Sequence, residues 1–296
     1  MPITIPFHFV DVFADGPLRG NPVSLVDDAD NLDDATMRAI AREFNQSETT
    51  FILTPTESAA TVRLRSFTPN GAEVFGAGHN ALGTWLWLIE TKLGHEAPAG
   101  GFAQQIGDEI LPVEVTREPG GQTAVSMSQS APTFGKKFTD RSRLAGSLGL
   151  GRSAISAGFD AQVVSTGAGH LLVPLIDKTA VDGAVPDARK LTAILEEVGG
   201  EGCLLYSLDP NSADALAYAR FFNPIMGISE DPATGTAAGP LVALLISRGQ
   251  ALGGITAIIE QGYLLGRPSR IRVTVNGTDV RVSGSGVVVA DGVLHL

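Results

Sequence analysis

Arg65-Ser-Phe-Thr-Pro69, followed by Gly76-Ala-Gly-His-Asn-Ala-Leu-Gly83 and the apolar run Thr84-Trp-Leu-Trp-Leu-Ile89, is answered later in the same chain. There Arg220-Phe-Phe-Asn-Pro224 is followed by Ala233-Thr-Gly-Thr-Ala-Ala-Gly239 and then Pro240-Leu-Val-Ala-Leu-Leu-Ile246. In both copies an extended segment ends at a proline, a loop crosses over, and a junction of small residues opens an apolar helix. A helix N-terminus exposes unpaired backbone N–H groups at the positive end of its dipole, a combination that favours anions. Two such ends, with His79 on one and Asp231 beside the other, point to a carboxylate site shared by two related halves.

Working outward, the repetition covers most of the chain. In the first half, Gly20-Asn-Pro-Val-Ser-Leu-Val26 reads as a strand, and a helix is expected near 33–45. Asp33 is its N-cap and Met37, Ile40, Ala41 and Phe44 share one face. Strands are expected at 48–53 and 61–67 before the Gly-opened helix. In the second half Gly169-His-Leu-Leu-Val-Pro-Leu-Ile176 opens the series. A helix near 187–198 carries Leu191, Ile194, Leu195 and Val198 on one face, and strands at 202–208 and 215–222 precede the second Gly-opened helix. Each half trails into β-rich sequence: 110–116 and 123–128 in the first, 255–260, 271–275 and 287–290 in the second. Pro119-Gly-Gly121, Asn276-Gly277 and Gly284-Ser-Gly286 carry turn chemistry between these strands. The polar stretch 130–153 reads as the connection, although Phe134, Phe138, Leu144 and Leu148 give it something to pack. The expectation is an α+β fold of two pseudo-symmetric domains, 1–128 and 129–296, each a curved, mostly antiparallel sheet around a central helix.

Composition narrows the function. The 296 residues are 44% hydrophobic and 18% charged, as in an ordinary globular protein. A formal net charge of -11 without basic runs argues against a nucleic-acid or anionic-membrane partner. Cys203 is the single cysteine, so no intrachain disulfide is possible, which fits a reducing compartment. The N-terminal stretch reads as a first strand, not a signal peptide, and no apolar run approaches a membrane span. A cytoplasmic location is expected.

The candidate chemistry rests on side chains alone. His8, His79, His95, His170 and His295 form no short-spaced pair and Cys203 has no thiol partner, so no metal is expected. Dinucleotide, Walker A and nucleophile-elbow spacings are all missing, so no organic cofactor is expected. Glu48, in Asn45-Gln-Ser-Glu-Thr-Thr-Phe51, stands at the mouth of an apolar strand. It is either a solvated strand-end charge or a carboxylate shielded by Phe44 and Phe51 and tuned for proton transfer. His79 is either a helix-end residue bonded to backbone or water, or a ligand-binding group. Asp231, like Glu230, is either an ordinary cap before Pro232 or part of a site, and Thr236 is either a helix-start hydroxyl or a substrate contact.

Taken together, Gly20-Asn-Pro22, Ser47-Glu-Thr-Thr-Phe51, Arg65-Ser-Phe-Thr-Pro69, Gly78-His79 and Glu230-Asp-Pro-Ala-Thr-Gly-Thr-Ala-Ala-Gly239 resemble the phenazine biosynthesis PhzF-like family, from about residue 8 to 290. The resemblance implies the diaminopimelate epimerase-like fold, with an active site in the cleft between two similar domains. It implies Glu48 as the proton-transferring residue, with His79, Asp231 and Thr236 helping to hold substrate, and it implies no metal or cofactor and a homodimer. Thr236 stands where familiar members have serine. Gly76 and Asn80 stand where an aromatic and a proline are usual, which alters the pocket. The thiol positions of the two-cysteine racemases of the superfamily fall near Ala77 and Thr234, so a two-thiol mechanism is excluded.

The expected function is a cofactor-independent isomerase of a small carboxylic acid, cyclic or amino-acid-like. Glu48, His79 and Asp231 carry the chemistry, and the substrate is bound near Gly78, Gly235 and Thr236. A single base suits a suprafacial proton shift better than stereoinversion. The alternatives are a non-catalytic small-carboxylate binding protein that keeps the fold, and a hydrolase or lyase in which Glu48 activates water.

Overall fold

The computed structural model describes residues 4–117 and 120–296. Internal contacts divide the chain into two units: one takes it up to Ser128 and again from Ser283 to Leu296, the other spans Gln129–Val282.

In the first unit β1 (Thr4–Val12) pairs antiparallel with β2 (Asn21–Val26). The Asp33 carboxylate accepts from Thr36 N–H at 2.8 Å and starts α1 (Asp34–Phe44), whose Met37, Ile40 and Ala41 are buried. Asn45, with φ 51°, ends it in the left-handed conformation. Next, β3 (Thr49–Leu53) runs parallel to β2, β4 (Val62–Phe67) antiparallel to β3, and the short β5 (Glu73–Val74) folds back on β4. After α2 (His79–Leu88), β6 (Phe102–Ile106) returns parallel to β4, and β7 (Glu109–Arg117) and β8 (Thr123–Gln129) continue antiparallel. Of the expected turn at 119–121, Pro119 lies outside the described residues.

The second unit opens with β9 (Thr133–Phe138), α3 (Arg141–Ser147) and β10 (Ala161–Ser165), which pairs antiparallel with β9 and with β11 (Gly169–Pro174). After α4 (Lys178–Asp182) and α5 (Ala188–Val198), β12 (Gly202–Ser207) runs parallel to β11 and β13 (Ala217–Asn223) antiparallel to β12. β14 (Ile228–Asp231) folds back on β13, and α6 (Gly235–Ser247) leads to β15 (Thr256–Gln261), parallel to β13. β16 (Ser269–Asn276) is antiparallel to β15, and the Asn276-Gly277 turn leads into β17 (Asp279–His295). Both units thus use a helical crossover twice to bring strands together in parallel, as the rule for such connections requires.

The two Gly-opened helices sit deepest. Every residue of α2 is buried, and α6 is buried from Gly235 to Leu245 except Thr236. Helices that are apolar all round have nowhere to go but inside a sheet. Packing against β1, β2 and β3 surrounds α2, while β10, β11 and β16 pack on α6.

Three expectations are corrected. The stretch 130–153 lies within the second unit, as the boundary at 129 expected, but it is core and not a polar connection: Phe138, Leu144 and Leu148 are buried, and of the four apolar residues expected to pack only Phe134 stays exposed. Gly284-Ser-Gly286 is no turn but lies within β17, a strand of 17 residues. A Cβ at Gly284 would sit 2.4 Å from the Phe13 ring, and one at Gly286 would sit 2.4 Å from the Asp11 carbonyl oxygen. These glycines admit close neighbours; they do not reverse the chain. For the same reason 283–296 leaves the half in which it was expected: from Gly286 to His295 it pairs antiparallel with β1.

Gly284→Ala and Gly286→Ala are therefore expected to destabilise the protein by about 1–3 kcal/mol each through overpacking. Gly146→Ala, in α3 with nothing within 4 Å of its Cβ position, should stabilise it by about 0.5–1 kcal/mol. Denaturant titration of the three variants checks the contrast.

Candidate functional site

The arginines of the repeated stretch form the frame of both junctions. On β4, Arg65 donates from Nε and Nη2 to the two oxygens of Glu73 at 2.7 and 2.8 Å, and from Nη1 to Asp34 at 2.7 Å. On β13, Arg220 makes the same fork to Glu230, at 2.9 and 2.8 Å. Its Nη1 donates to the carbonyls of Val181, Asp182 and Ala184. The guanidinium also lies over the phenylalanine two residues on, Phe67 or Phe222, at 5.1 and 4.9 Å. Two parallel charge-assisted hydrogen bonds fix orientation as well as distance. Each fork clamps the short hairpin strand that delivers the chain to α2 or α6. Glu230 is accordingly a fork partner, not a helix cap.

At the first junction Glu48 lies between Asn45 and β3, and its Oε2 is 3.3 Å from His79 Nδ1. Only 19% of the Glu48 side chain is exposed, and burial raises its carboxyl from the usual range to about 7. Of its expected aromatic shields, Phe51 packs with Phe67 in the core. His79, the first residue of α2, is buried. The loop before it is tied by Asn80, whose Oδ1 accepts from Gly78 N–H at 2.8 Å. Its Nδ2 donates to Gly76 O at 3.1 Å and to Ser66 Oγ at 2.9 Å. Asn80 thus shapes the junction from within.

At the second junction Asp231 closes β14, and its carboxylate accepts from the Thr234 hydroxyl. Gln261 holds the turn from behind: its Nε2 donates to Asp231 O at 2.7 Å, and its Oε1 accepts from Thr234 N–H at 3.2 Å. Of the two readings of Asp231, the N-cap of α6 is not what the structure shows: Thr234 occupies that position, and its side chain makes no cap hydrogen bond. Thr236 Oγ1 lies 3.4 Å from Nε2 of His170, a residue that no motif of the sequence singles out.

One contrast separates these two helices from the rest. An aspartate side chain caps each of α1, α3, α4 and α5, namely Asp33, Asp140, Asp177 and Asp187. Neither α2 nor α6 has a side-chain cap. A helix start whose N-cap side chain makes no such bond is one where an anion can gain. Among the described residues no cluster of three His, Cys, Asp or Glu side chains is arranged to hold a metal ion. Cys203 is fully buried and burial pushes its thiol upward, which suits packing and not nucleophilic attack.

Comparison with known proteins gives the family. The family model described as "Phenazine biosynthesis-like protein" matches residues 10–292. The chain belongs to this family. It is 35% identical over 295 residues to trans-2,3-dihydro-3-hydroxyanthranilate isomerase of Pseudomonas aeruginosa, covering 97% of this chain and 98% of the relative. An uncharacterized isomerase of Salmonella typhimurium is also 35% identical, covering 95% of each chain. The solved phenazine biosynthesis protein of Bacillus anthracis superposes with a TM-score of 0.91 at 28% identity, covering 99% of this chain and 100% of that one. The protein is thus an isomerase of the PhzF-like type with an α+β fold.

In this PhzF-like isomerase the junctions differ at one decisive position. Thr49 pairs with Phe67 and Cys203 with Phe222, so the residue matching Glu48 in the second unit is Gly202. A Cβ there would meet the Phe221 ring at 2.4 Å and His170 Nδ1 at 3.2 Å. The second junction keeps the framework and fills the carboxylate's place with two rings.

Burial of Glu48 has a measurable linkage. Its unfolded carboxyl ionises near 4.5 and its folded one near 7, so the unfolded chain releases the proton first. The fold therefore loses stability as pH rises from about 4.5 to about 7, by up to about 3 kcal/mol, and the loss is constant above. Glu48→Gln should match the wild type below pH 4.5 and exceed it in stability above pH 7, by up to that amount. Paired urea titrations across this range test the sign; a variant less stable than the wild type at pH 8 would contradict it.

Proposed function

We propose that the protein shifts a proton between two carbon atoms of a small carboxylic acid, cyclic or amino-acid-like, with Glu48 as both base and acid. The observation that carries this reading is the Glu48 carboxyl itself, buried, raised to about 7 and within 3.3 Å of His79 at the uncapped start of α2. A carboxyl with that affinity is populated in both protonation states near neutrality, which is what proton removal and return require. Glu48 takes a proton from an sp3 carbon beside a double bond, and the C–H electron pair becomes the new C=C. The former π pair takes the proton back at the far carbon, so composition is unchanged. His79 and Asp231 bind amino or hydroxyl groups and stabilise developing charge, and the carboxylate is held at Gly78, Gly235 and Thr236.

That Glu48 and the Asp231–Thr236 turn serve one substrate belongs to this proposal. So does the reading of the two units as pseudo-symmetric diaminopimelate epimerase-like domains. The presence of a glutamate at one junction and a glycine at the other supports a one-base shift over stereoinversion, which needs a group on each face. The name of the Pseudomonas aeruginosa relative makes trans-2,3-dihydro-3-hydroxyanthranilate the first compound to test.

With a turned-over substrate, kcat/KM should rise with pH to a plateau with a midpoint near 7, following ionisation of Glu48. Folded Glu48→Gln should lose at least about a hundredfold. Product recovered from deuterium oxide should keep the substrate's carbon skeleton and carry solvent deuterium at the receiving carbon. Wild-type turnover in Glu48→Gln would remove Glu48 from the mechanism. Binding without any exchange would mark a binding protein, and a product gaining water or losing a fragment would mark a hydrolase or lyase.

A further inference from the structure

The second junction holds a histidine that no part of the proposed reaction uses. His170 stands on β11, is 3% exposed, and packs edge-on against Phe221 with ring centroids 5.0 Å apart. Its two nitrogens have different surroundings. Nε2 lies 3.4 Å from Thr236 Oγ1, whereas Nδ1 is buried against Gly202 with no hydrogen-bond partner among the described residues. The first turn of α6 is also held by Gln129, which donates to Gly235 O at 3.2 Å and accepts from the Thr166 hydroxyl at 2.7 Å. A Cβ at Gly239 would fall 2.0 Å from the Gln129 Oε1, so the glycine makes room for that brace.

Burial lowers the His170 imidazole to about 4, and the ring is neutral above roughly pH 5. A neutral imidazole has one N–H and one lone pair. An orphaned buried N–H is rarer in proteins than an under-satisfied acceptor. The proton therefore belongs on Nε2, where Thr236 Oγ1 can accept it, and the bare lone pair belongs on Nδ1. Once Thr236 Oγ1 accepts from His170, the hydroxyl's own proton is left for another acceptor. Among the described residues no carbonyl takes it. The hydroxyl sits on the first turn of α6, whose N-cap residue Thr234 makes no side-chain cap hydrogen bond.

We propose that His170 is a positioning residue that holds the Thr236 hydroxyl as an acceptor and so turns its proton toward a bound carboxylate. The inference rests on the reading of α6 as a carboxylate-binding end, and it gives Thr236 a directed donor where an unsupported threonine hydroxyl would rotate freely. It also gives the rings that replace Glu48's counterpart a use: the space closed to a second base is occupied by the support of the anion site.

The test uses 2-aminobenzoate as probe and full-length protein. Calorimetric titration is run on the wild type and on His170→Phe, His170→Gln, Thr236→Val and the His170→Phe/Thr236→Val double variant. Loss of one oriented hydrogen bond to a charged group should weaken binding about tenfold in His170→Phe and in Thr236→Val. His170→Gln, which restores a donor near the Nε2 position, should recover most of the affinity, and the double variant should bind no more weakly than Thr236→Val alone. Wild-type affinity in His170→Phe, or losses that multiply in the double variant, would overturn the inference. Nitrogen-15 spectra of the wild-type imidazole, which need neither ligand nor variant, should report the Nε2–H tautomer between pH 6 and 8; an Nδ1–H tautomer would overturn it as well. Failure of the wild type to bind the probe would remove the carboxylate end of α6 and this inference with it. A reversed tautomer in a protein that binds would remove only the role of His170.

Discussion

The Arg–Glu fork is the interaction on which both junctions depend. A two-residue strand such as β5 has little pairing of its own, yet it must deliver the chain to the start of a helix whose every residue is buried. Arg65 and Arg220 supply what pairing cannot, by gripping Glu73 and Glu230 through two parallel bonds each. The second fork is the more enclosed, with its third nitrogen satisfied by three carbonyls. Around each, the phenylalanine two residues on completes a packed face for the guanidinium. Neither helix start depends on a side-chain hydrogen bond from its own N-cap residue.

Most of the framework was legible because it obeys strong local rules. The helix at 34–44 announced itself through Asp33 and the spacing of Met37, Ile40 and Ala41, and α5 did so through the shared face of Leu191, Ile194, Leu195 and Val198. Strands β3, β4, β12 and β13 are apolar enough to read directly. What escaped was structure whose determinants are distant in sequence. Strand β6 is masked by Gln104 and Gln105, buried polar residues whose amides are satisfied by Trp85 and Thr56 from elsewhere. The glycines of β17 looked like a turn because their partners, Phe13 and Asp11, lie more than 270 positions earlier.

Of the candidate site, what could be read was the choice of residues and not their contacts. Glu48, His79 and Asp231 could be named from motif and position, and Glu48 does meet His79. The use of Asn80 as an internal tie and the pairing of His170 with Thr236 could not be read, because each is fixed by which residues face one another across strands. A lone histidine in an apolar strand has no periodic signature that separates a filler from a support. Only its neighbours separate them, with a threonine hydroxyl on one nitrogen and a glycine against the other.

Gly202 has a consequence for how such a protein can change over generations. Placing an acid at this position, to match the one at Glu48, is not one substitution away. Any side chain there runs into Phe221 and His170, so both rings would have to shrink or turn before a carboxylate fits. Each of those intermediate steps opens a void or leaves a polar atom stranded in the core. The glycine is thus protected by packing: a lineage carrying these three residues keeps this position without a side chain because the intermediates on the way to any other are not stable.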